Sequence, residues 1–152
     1  MCETRPLKRI LGIDYGDRNI GLAVTDKLQL TAQPLGCYKL KEEEENRKYF
    51  KDLVSKYDIG EIVLGFPLRM DGSSGTRAEK TKVFAGWLEM TLNLPVIFWD
   101  ERLTTRQAYN LMHQQNLKGR AKKKLKDKIS AVIILSSYLE SKRTNPHAPQ
   151  DY

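Results

Sequence analysis

The chain has 152 residues and 40% hydrophobic content, which fits one domain with one buried core. Its 26 Lys and Arg against 19 Asp and Glu give a net charge of +7, which favours polyanionic partners without choosing between nucleic acid and a membrane surface. Two cysteines do not form a disulfide framework, and the charged start of the chain does not fit a secretion signal, so a cytoplasmic protein is expected. The longest apolar run, Ala131–Leu135, is too short to span a membrane, so no membrane partner is expected.

Apolar segments in the first third of the chain predict three strands in a meander. Arg9–Asp14 and Ile20–Thr25 have the composition of buried strands, and turn-forming residues separate them. Ala32–Leu40 predicts a weaker third strand. Glu42–Tyr57 then carries apolar residues at helical spacing, and its first turns are acidic, where the helix dipole favours negative charge.

Strands alternate with helices in the rest of the chain, which predicts an α/β fold. We expect a five-stranded mixed sheet, with a three-strand meander followed by parallel strands, flanked by helices. Residues 1–152 are expected to form a single domain with its core at about 9–141 and a frayed tail at about 143–152. The later predicted segments are a strand at Glu61–Phe66, a helix from Thr76 with Val83, Phe84, Trp87 and Leu88 on its apolar face, a strand at Pro95–Trp99, a helix at Thr104–Asn116, a basic connector at Leu117–Lys126 and a buried helix at Asp127–Ser141.

Three carboxylates are candidate metal ligands. Asp14 and Glu101 follow apolar strands, and ligands of such sheets bind beyond the carboxyl ends of the strands. Asp127 is the one acid within the basic run Lys118–Lys128. Carboxylate oxygens suit Mg²⁺ or Mn²⁺, and two such ions about 4 Å apart support in-line hydrolysis of a phosphodiester.

Each carboxylate also has a structural interpretation. Asp14 suits a turn, and either Asp100 or Glu101 could be the second ligand or could pair with Arg102 at the surface. Asp127 suits a solvated position or the N-terminus of a helix. No cluster of His and Cys has zinc spacing, and no phosphate-binding loop of the Walker type is present in the sequence.

The positive charge is concentrated near Asp127. Lys118–Lys128 holds seven bases and one acid, whereas the rest of the chain carries 19 bases and 18 acids. This run could bind phosphates or form a solvated face. Four arginines in or beside the loops at the strand ends have the same two interpretations. The candidate nucleic-acid-binding residues are Arg18, Arg69, Arg77, Arg102, Lys118, Arg120, Lys122, Lys123, Lys124 and Lys126.

Four motifs follow one another over about residues 9–139. They are Leu11–Gly16 followed by Ile20–Asp26, Gly65–Gly72, Asp100–Thr105 and Asp127–Ala131. Together these motifs resemble the YqgF/RuvX family, which is described as nucleases of pre-16S ribosomal RNA and, historically, as homologues of Holliday-junction resolvases. The resemblance implies a ribonuclease H-like fold, and it implies that Asp14, Glu101 and Asp127 are the catalytic acids and metal ligands, with Mg²⁺ or Mn²⁺ as the cofactor.

Three functions follow as expectations. The first is a metal-dependent nuclease, a hydrolase of phosphodiester bonds, that processes the 5′ end of pre-16S ribosomal RNA in ribosome biogenesis, with structured RNA precursor or ribosomal particles as its partners. The second is a Holliday-junction resolvase that cuts DNA, which needs a symmetric dimer. The third is a non-catalytic RNA-binding factor of ribosome assembly. The choice between RNA and DNA stays open because phosphate contacts do not distinguish them.

Overall fold

The computed structural model describes residues 8–16, 19–66, 76–100 and 120–144, with only the backbone described for 120–129 and 143–144. Five strands and three helices lie within these ranges. In chain order they are β1 (Arg9–Tyr15), β2 (Asn19–Thr25), β3 (Ala32–Lys39), α1 (Glu43–Tyr57), β4 (Ile59–Phe66), α2 (Thr76–Leu92), β5 (Val96–Asp100) and α3 (Arg120–Thr144).

The five strands form one mixed sheet in the order β3-β2-β1-β4-β5. The first three strands are an antiparallel meander, and β4 and β5 follow in parallel with β1. This arrangement confirms the predicted sheet. Because β1, β4 and β5 are parallel, their carboxyl ends lie at one edge of the sheet, which we call the carboxyl edge.

Both faces of the sheet are covered, which explains why the central strands are apolar at nearly every position. One core cluster contains Leu11, Ile13 and Leu22 and includes residues of α1 and α2, among them Phe50 and Leu88. The alternate residues of the same strands form a second cluster with α3, whose members include Ile10, Ala23, Val63, Trp99 and Leu135. The sheet therefore separates the pair α1 and α2 from α3.

Helix α3 lies unusually close to the central strand. A Cβ atom at Gly12 would be 2.9 Å from the Cβ of Leu135 and 3.2 Å from the carbonyl oxygen of Ala131. The missing side chain at residue 12 thus lets the helix backbone approach β1, and this contact fixes the position of α3 along the strand.

Gly12→Ala is therefore expected to lower the free energy of unfolding by about 1–3 kcal/mol, the usual cost of overpacking a core. Gly86→Ala is the matched control, because nothing lies within 4 Å of a Cβ at this exposed position of α2. That change should raise the free energy of unfolding by about 0.5–1 kcal/mol through helix propensity. Urea unfolding of the two variants measures both effects, and equal stabilities would contradict the close contact.

The last helix differs from its predicted form. Residues 117–126 were expected to be a connector, but α3 begins at Arg120, so most of the basic run is helical. The reason is that Lys, Arg, Ala and Leu are strong helix formers even when their charge is the most visible feature of a segment. The predicted burial of this helix is confirmed between Ala131 and Leu139.

The apolar face of α2 was predicted correctly except at one residue. Phe84 and Leu88 are buried and Trp87 packs partly against the core, but Val83 is 75% exposed. The buried positions of α2 follow helical spacing from Ala78 to Leu88, and residue 83 falls on the opposite side of that stripe. The predicted helix at residues 104–116 lies outside the described residues. So does the predicted tail at 143–152, apart from residues 143 and 144, which belong to α3. No helix within the described ranges is long and apolar enough to cross a membrane.

Candidate active site at the carboxyl edge of the sheet

Asp14 lies in the central strand, one residue before the end of β1, and its side chain is half-buried. Side chains alternate between the two faces of a strand, so Asp14 shares a face with Gly12. Gly12 is the residue against which α3 packs. The carboxylate of Asp14 therefore leaves the sheet on the α3 face at the carboxyl edge.

The direction of α3 is fixed by its contacts further along. The hydroxyl of Tyr138 donates a hydrogen bond of 2.9 Å to Glu61, and Lys142 lies 3.6 Å from the same carboxylate. Glu61 of β4 pairs with Ile10, near the start of β1, so the end of α3 lies at that level. Ala131, earlier in the helix, packs against Gly12, which is further along β1. The helix thus begins at the carboxyl edge and runs back towards the opposite edge.

This direction brings residue 127 to the level of Asp14. Asp127 is four residues before Ala131, which is about 6 Å along a helix, and Asp14 is two residues after Gly12, which is about 6.6 Å along a strand. Measured along β1, residue 127 and Asp14 therefore lie at similar levels on the α3 face of the sheet. Residue 127 is also two turns inside α3, which excludes the N-terminal helix position as its structural role.

The second ligand was left open between Asp100 and Glu101. Trp99 belongs to the α3 cluster, and its indole donates a 3.1 Å hydrogen bond to Ser137. Phe98 packs against the core cluster on the face of α1 and α2. Because side chains alternate between the two faces of a strand, Asp100 lies on the same face as Phe98, away from Asp14. This argues against Asp100 as the partner of Asp14. Glu101 lies outside the described residues.

Arg77 is the one candidate phosphate contact whose side chain the structure describes. Its guanidinium donates a 3.2 Å hydrogen bond to the carbonyl oxygen of Tyr15, the residue after Asp14. Arg77 is exposed in the first turn of α2, so it lies at the carboxyl edge as predicted. Arg18, Arg69, Arg102 and Lys118 lie outside the described residues. The backbone of the first two turns of α3 carries Arg120, Lys122, Lys123, Lys124 and Lys126.

Another carboxylate at a strand end has a structural role. Asp26 follows β2 and accepts hydrogen bonds from the backbone amides of Leu30 and Thr31 at 2.7 and 2.8 Å. These bonds, the one from Thr31 foremost, hold the pKa of Asp26 below its ordinary value. Because β2 is antiparallel to β1, Asp26 lies at the other edge of the sheet and closes its own turn.

Asp14 is the one predicted metal ligand whose side chain the structure describes, and it suits a hard divalent cation. Asp14 supplies carboxylate oxygens, which Mg²⁺ and Mn²⁺ prefer. Among the described side chains, no group of three His, Cys, Asp or Glu residues converges on one point. The other two predicted ligands, Glu101 and Asp127, have side chains outside that set.

A cavity of about 630 Å³ lies on the other face, between α1 and α2. Its aromatic wall is made by Tyr15, Phe84 and Trp87. The sequence pattern assigns Trp87 to a helix core and does not predict a cavity. The only feature of the sequence that points to this cavity is the spacing of Phe84 and Trp87, which puts both rings on one helix face. That spacing does not distinguish a packed core from the wall of a cavity.

The order of the strands and the helices on both faces define a ribonuclease H-like fold. The structure is similar to that of Thermus thermophilus RuvC in complex with a Holliday junction substrate, with a TM-score of 0.55, 12% identity and coverage of 90% of this chain and 96% of that chain. It is also similar to the yeast mitochondrial Holliday junction resolvase Ydc2, with a TM-score of 0.53, 13% identity and coverage of 95% and 83%. At these identities the likeness establishes the fold.

The sequence comparison establishes the family. Residues 8–141 match the model of the family described as "RuvX: Holliday junction resolvase". A protein of Halothermothrix orenii named "Putative pre-16S rRNA nuclease" is 45% identical over 131 residues, which cover 86% of this chain and 94% of that protein. A Bacillus subtilis protein of the same name is 42% identical, with coverage of 88% and 98%. The chain belongs to the RuvX family, which confirms the resemblance found in the sequence.

Proposed function

We propose that the protein is a divalent-metal-dependent nuclease that hydrolyses phosphodiester bonds at the carboxyl edge of its sheet. The observation that carries this proposal is the close contact of α3 with Gly12, because it packs the helix that contains residue 127 on the face of the sheet where Asp14 lies. This arrangement supports a site shared by Asp14 and Asp127 at the edge where α/β sheets bind their ligands. Membership of the RuvX family and the names of the curated relatives support the same activity.

Asp14, Glu101 and Asp127 would hold Mg²⁺ or Mn²⁺, and two ions are expected. When bound, such ions would activate a water molecule for attack and would stabilise the charge on the leaving oxygen. The residues of the chain have separate tasks. The rigid end of β1 orients Asp14, and Arg77 and the basic run bind the phosphates of the strand on either side of the site. The first two turns of α3 carry that basic run in the residues just before Asp127.

The proposed substrate is a precursor of 16S ribosomal RNA, cut in the cytoplasm during ribosome biogenesis, alone or within ribosomal particles. The shared name of the curated relatives supports it. Residues 1–152 are proposed to act as a single domain, consistent with a family match that spans residues 8–141. Resolution of Holliday junctions is the second candidate, favoured by the description of the family model, and it requires two copies of the site.

A cleavage assay with two substrates tests the proposal. Purified protein is incubated with a 16S precursor RNA and with a four-way DNA junction, in Mg²⁺, in Mn²⁺ and in excess chelator. We expect cleavage of the RNA with either ion and none in chelator. Paired cuts in the junction with intact RNA would assign the resolvase function. Both substrates bound but intact under every condition would assign a non-catalytic role in ribosome assembly.

A further inference from the structure

The cavity between α1 and α2 opens at the carboxyl edge. Its lining includes Glu43 in the first turn of α1 and Thr76 in the first turn of α2, and both helices begin at this edge. A volume of about 630 Å³ lies within the roughly 300–1,000 Å³ of small-molecule sites. The cavity is thus large enough for a ligand of the size of a nucleoside.

The wall of the cavity is a series of rings with nearly parallel planes. The centroids of Tyr15 and Phe84 are 4.8 Å apart at an interplanar angle of 29°. Those of Phe84 and Trp87 are 5.9 Å apart at 19°. Phe84 is buried, whereas Tyr15 and Trp87 are only half-buried and keep part of their surface towards the cavity. Such a wall favours a flat, aromatic ligand over a branched aliphatic one.

The remaining lining residues suit the polar groups of a nucleotide. Carboxylates accept hydrogen bonds from the amino and ring N–H groups of a base, and lysines bind phosphate. Asn46 holds the rim in place, since its amide bonds the hydroxyl of Tyr38 and both backbone groups of Lys41 at 2.9–3.0 Å. The charged residues that line the cavity are Lys41, Glu43, Glu79 and Lys80.

The cavity and the candidate active site lie on opposite faces of the sheet at the same end of β1. Tyr15 directly follows Asp14 in β1, so one strand end contributes a carboxylate to one face of the sheet and an aromatic ring to the other. Arg77 donates its hydrogen bond to the carbonyl of Tyr15, which puts a cation between the two features. A nucleic acid strand whose phosphate lies at Asp14 therefore has a neighbouring base within reach of the cavity.

We propose that this cavity takes one unpaired nucleobase of the strand bound at Asp14, stacked on Trp87 and Tyr15. The proposal rests on the proposed nuclease function and sharpens its substrate class to strands with an unpaired base beside the cleaved phosphate. A base in a continuous duplex cannot enter the cavity without leaving its stack, so fully paired nucleic acid is bound less tightly.

Indole signals in a ¹⁵N-labelled NMR spectrum test the contact in the unaltered protein. The chain has two tryptophans, and Trp99 is buried and bonded to Ser137. Single-stranded RNA, added in chelator to prevent cleavage, is expected to shift the indole signal of Trp87 and leave that of Trp99 in place. Trp87→Phe assigns the two signals. RNA that shifts the backbone amides of Asp14 and Tyr15 while the Trp87 indole stays unmoved overturns the base site and leaves the nuclease proposal standing.

Binding measurements on variants test the stacking energy. Trp87→Ala is expected to weaken binding of single-stranded RNA between about fivefold and 100-fold, whereas Trp87→Phe keeps most of the affinity. Met90→Ala is the matched control, because Met90 is 88% exposed on the same helix and does not line this cavity. Equal affinities of the Trp87→Ala and Met90→Ala variants overturn the proposal.

A third comparison distinguishes a base within a strand from a free nucleotide. Replacing single bases of the RNA by abasic sites is expected to weaken binding to the wild type at one position and to have no effect there on Trp87→Ala.

Nucleoside monophosphate is compared with ribose 5-phosphate as a base-free control. A monophosphate that binds as tightly as the RNA would assign the cavity to a free nucleotide and overturn the proposed role. Failure of every nucleic acid to bind overturns the nuclease proposal itself.

Discussion

Replacing Asp14 with asparagine is expected to lower the rate of cleavage by at least about 100-fold. The change keeps the shape of the side chain but removes the charge that a divalent ion requires. Loss of a group that only supports a metal ligand typically costs 10–100-fold in metal affinity or activity, so loss of a ligand itself should cost no less. Single-turnover cleavage of the RNA precursor at saturating protein measures the rate.

The fold and RNA binding should survive this substitution. Asp14 is half-buried, and a neutral amide is less costly to bury than a carboxylate, so the free energy of unfolding should not fall. Asp52→Asn is the control, because it makes the same chemical change at an exposed position of α1. Undiminished cleavage by Asp14→Asn, or an equal loss in both variants, would contradict the catalytic role of Asp14.

Neutralising three lysines at the start of α3 is expected to change the salt dependence of RNA binding. If each of Lys122, Lys123 and Lys124 contacts one phosphate, their replacement by glutamine should make the slope of log K against log salt shallower by about 2 on single strands. The loss of affinity is then largest at low salt. Fluorescence anisotropy over a series of salt concentrations gives the slope.

The matched control removes the same charge elsewhere. Lys48, Lys51 and Lys56 are exposed on α1, so their replacement by glutamine gives the same net charge without touching α3. The slope of log K against log salt for this variant should differ from that of the wild type by less than about 0.7, the value of one phosphate contact on single strands. Equal slopes in the two triple variants would mean that the basic run is a solvated face. Its lysines would then affect RNA binding only through the net charge of the protein.

The sheet could be predicted from sequence because its strands have strong local signals. Arg9–Tyr15 and Asn19–Thr25 are apolar and bounded by turn residues, so their positions were correct to within about one residue. The carboxyl ends of β1 and β5 then indicated where chemistry would lie, since parallel strands bring these ends together. Asp14 is predicted as a metal ligand on this ground, without any tertiary contact.

The features that were missed depend on contacts between distant elements. The start of α3 was predicted about seven residues too late because a dense run of lysines resembles a connector as much as a helix. The approach of Ala131 to Gly12 cannot be inferred from either segment alone, although it decides where α3 packs on the face of the sheet that carries Asp14. The exposure of Val83 and the cavity beside Trp87 likewise depend on the angle at which α2 packs, which local periodicity does not determine.

The location of a bound metal ion tests the account most directly. Mn²⁺ at a small fraction of the protein concentration broadens the NMR signals of nearby backbone amides, whether or not the protein is active. We predict broadening at Asp14, at Tyr15 and around residue 127, and its loss in Asp14→Asn. The acidic first turn of α1, Glu43–Glu45, is the competing site on the same molecule. Broadening centred on that turn, or a pattern unchanged by Asp14→Asn, would contradict a metal-dependent active site at the carboxyl edge.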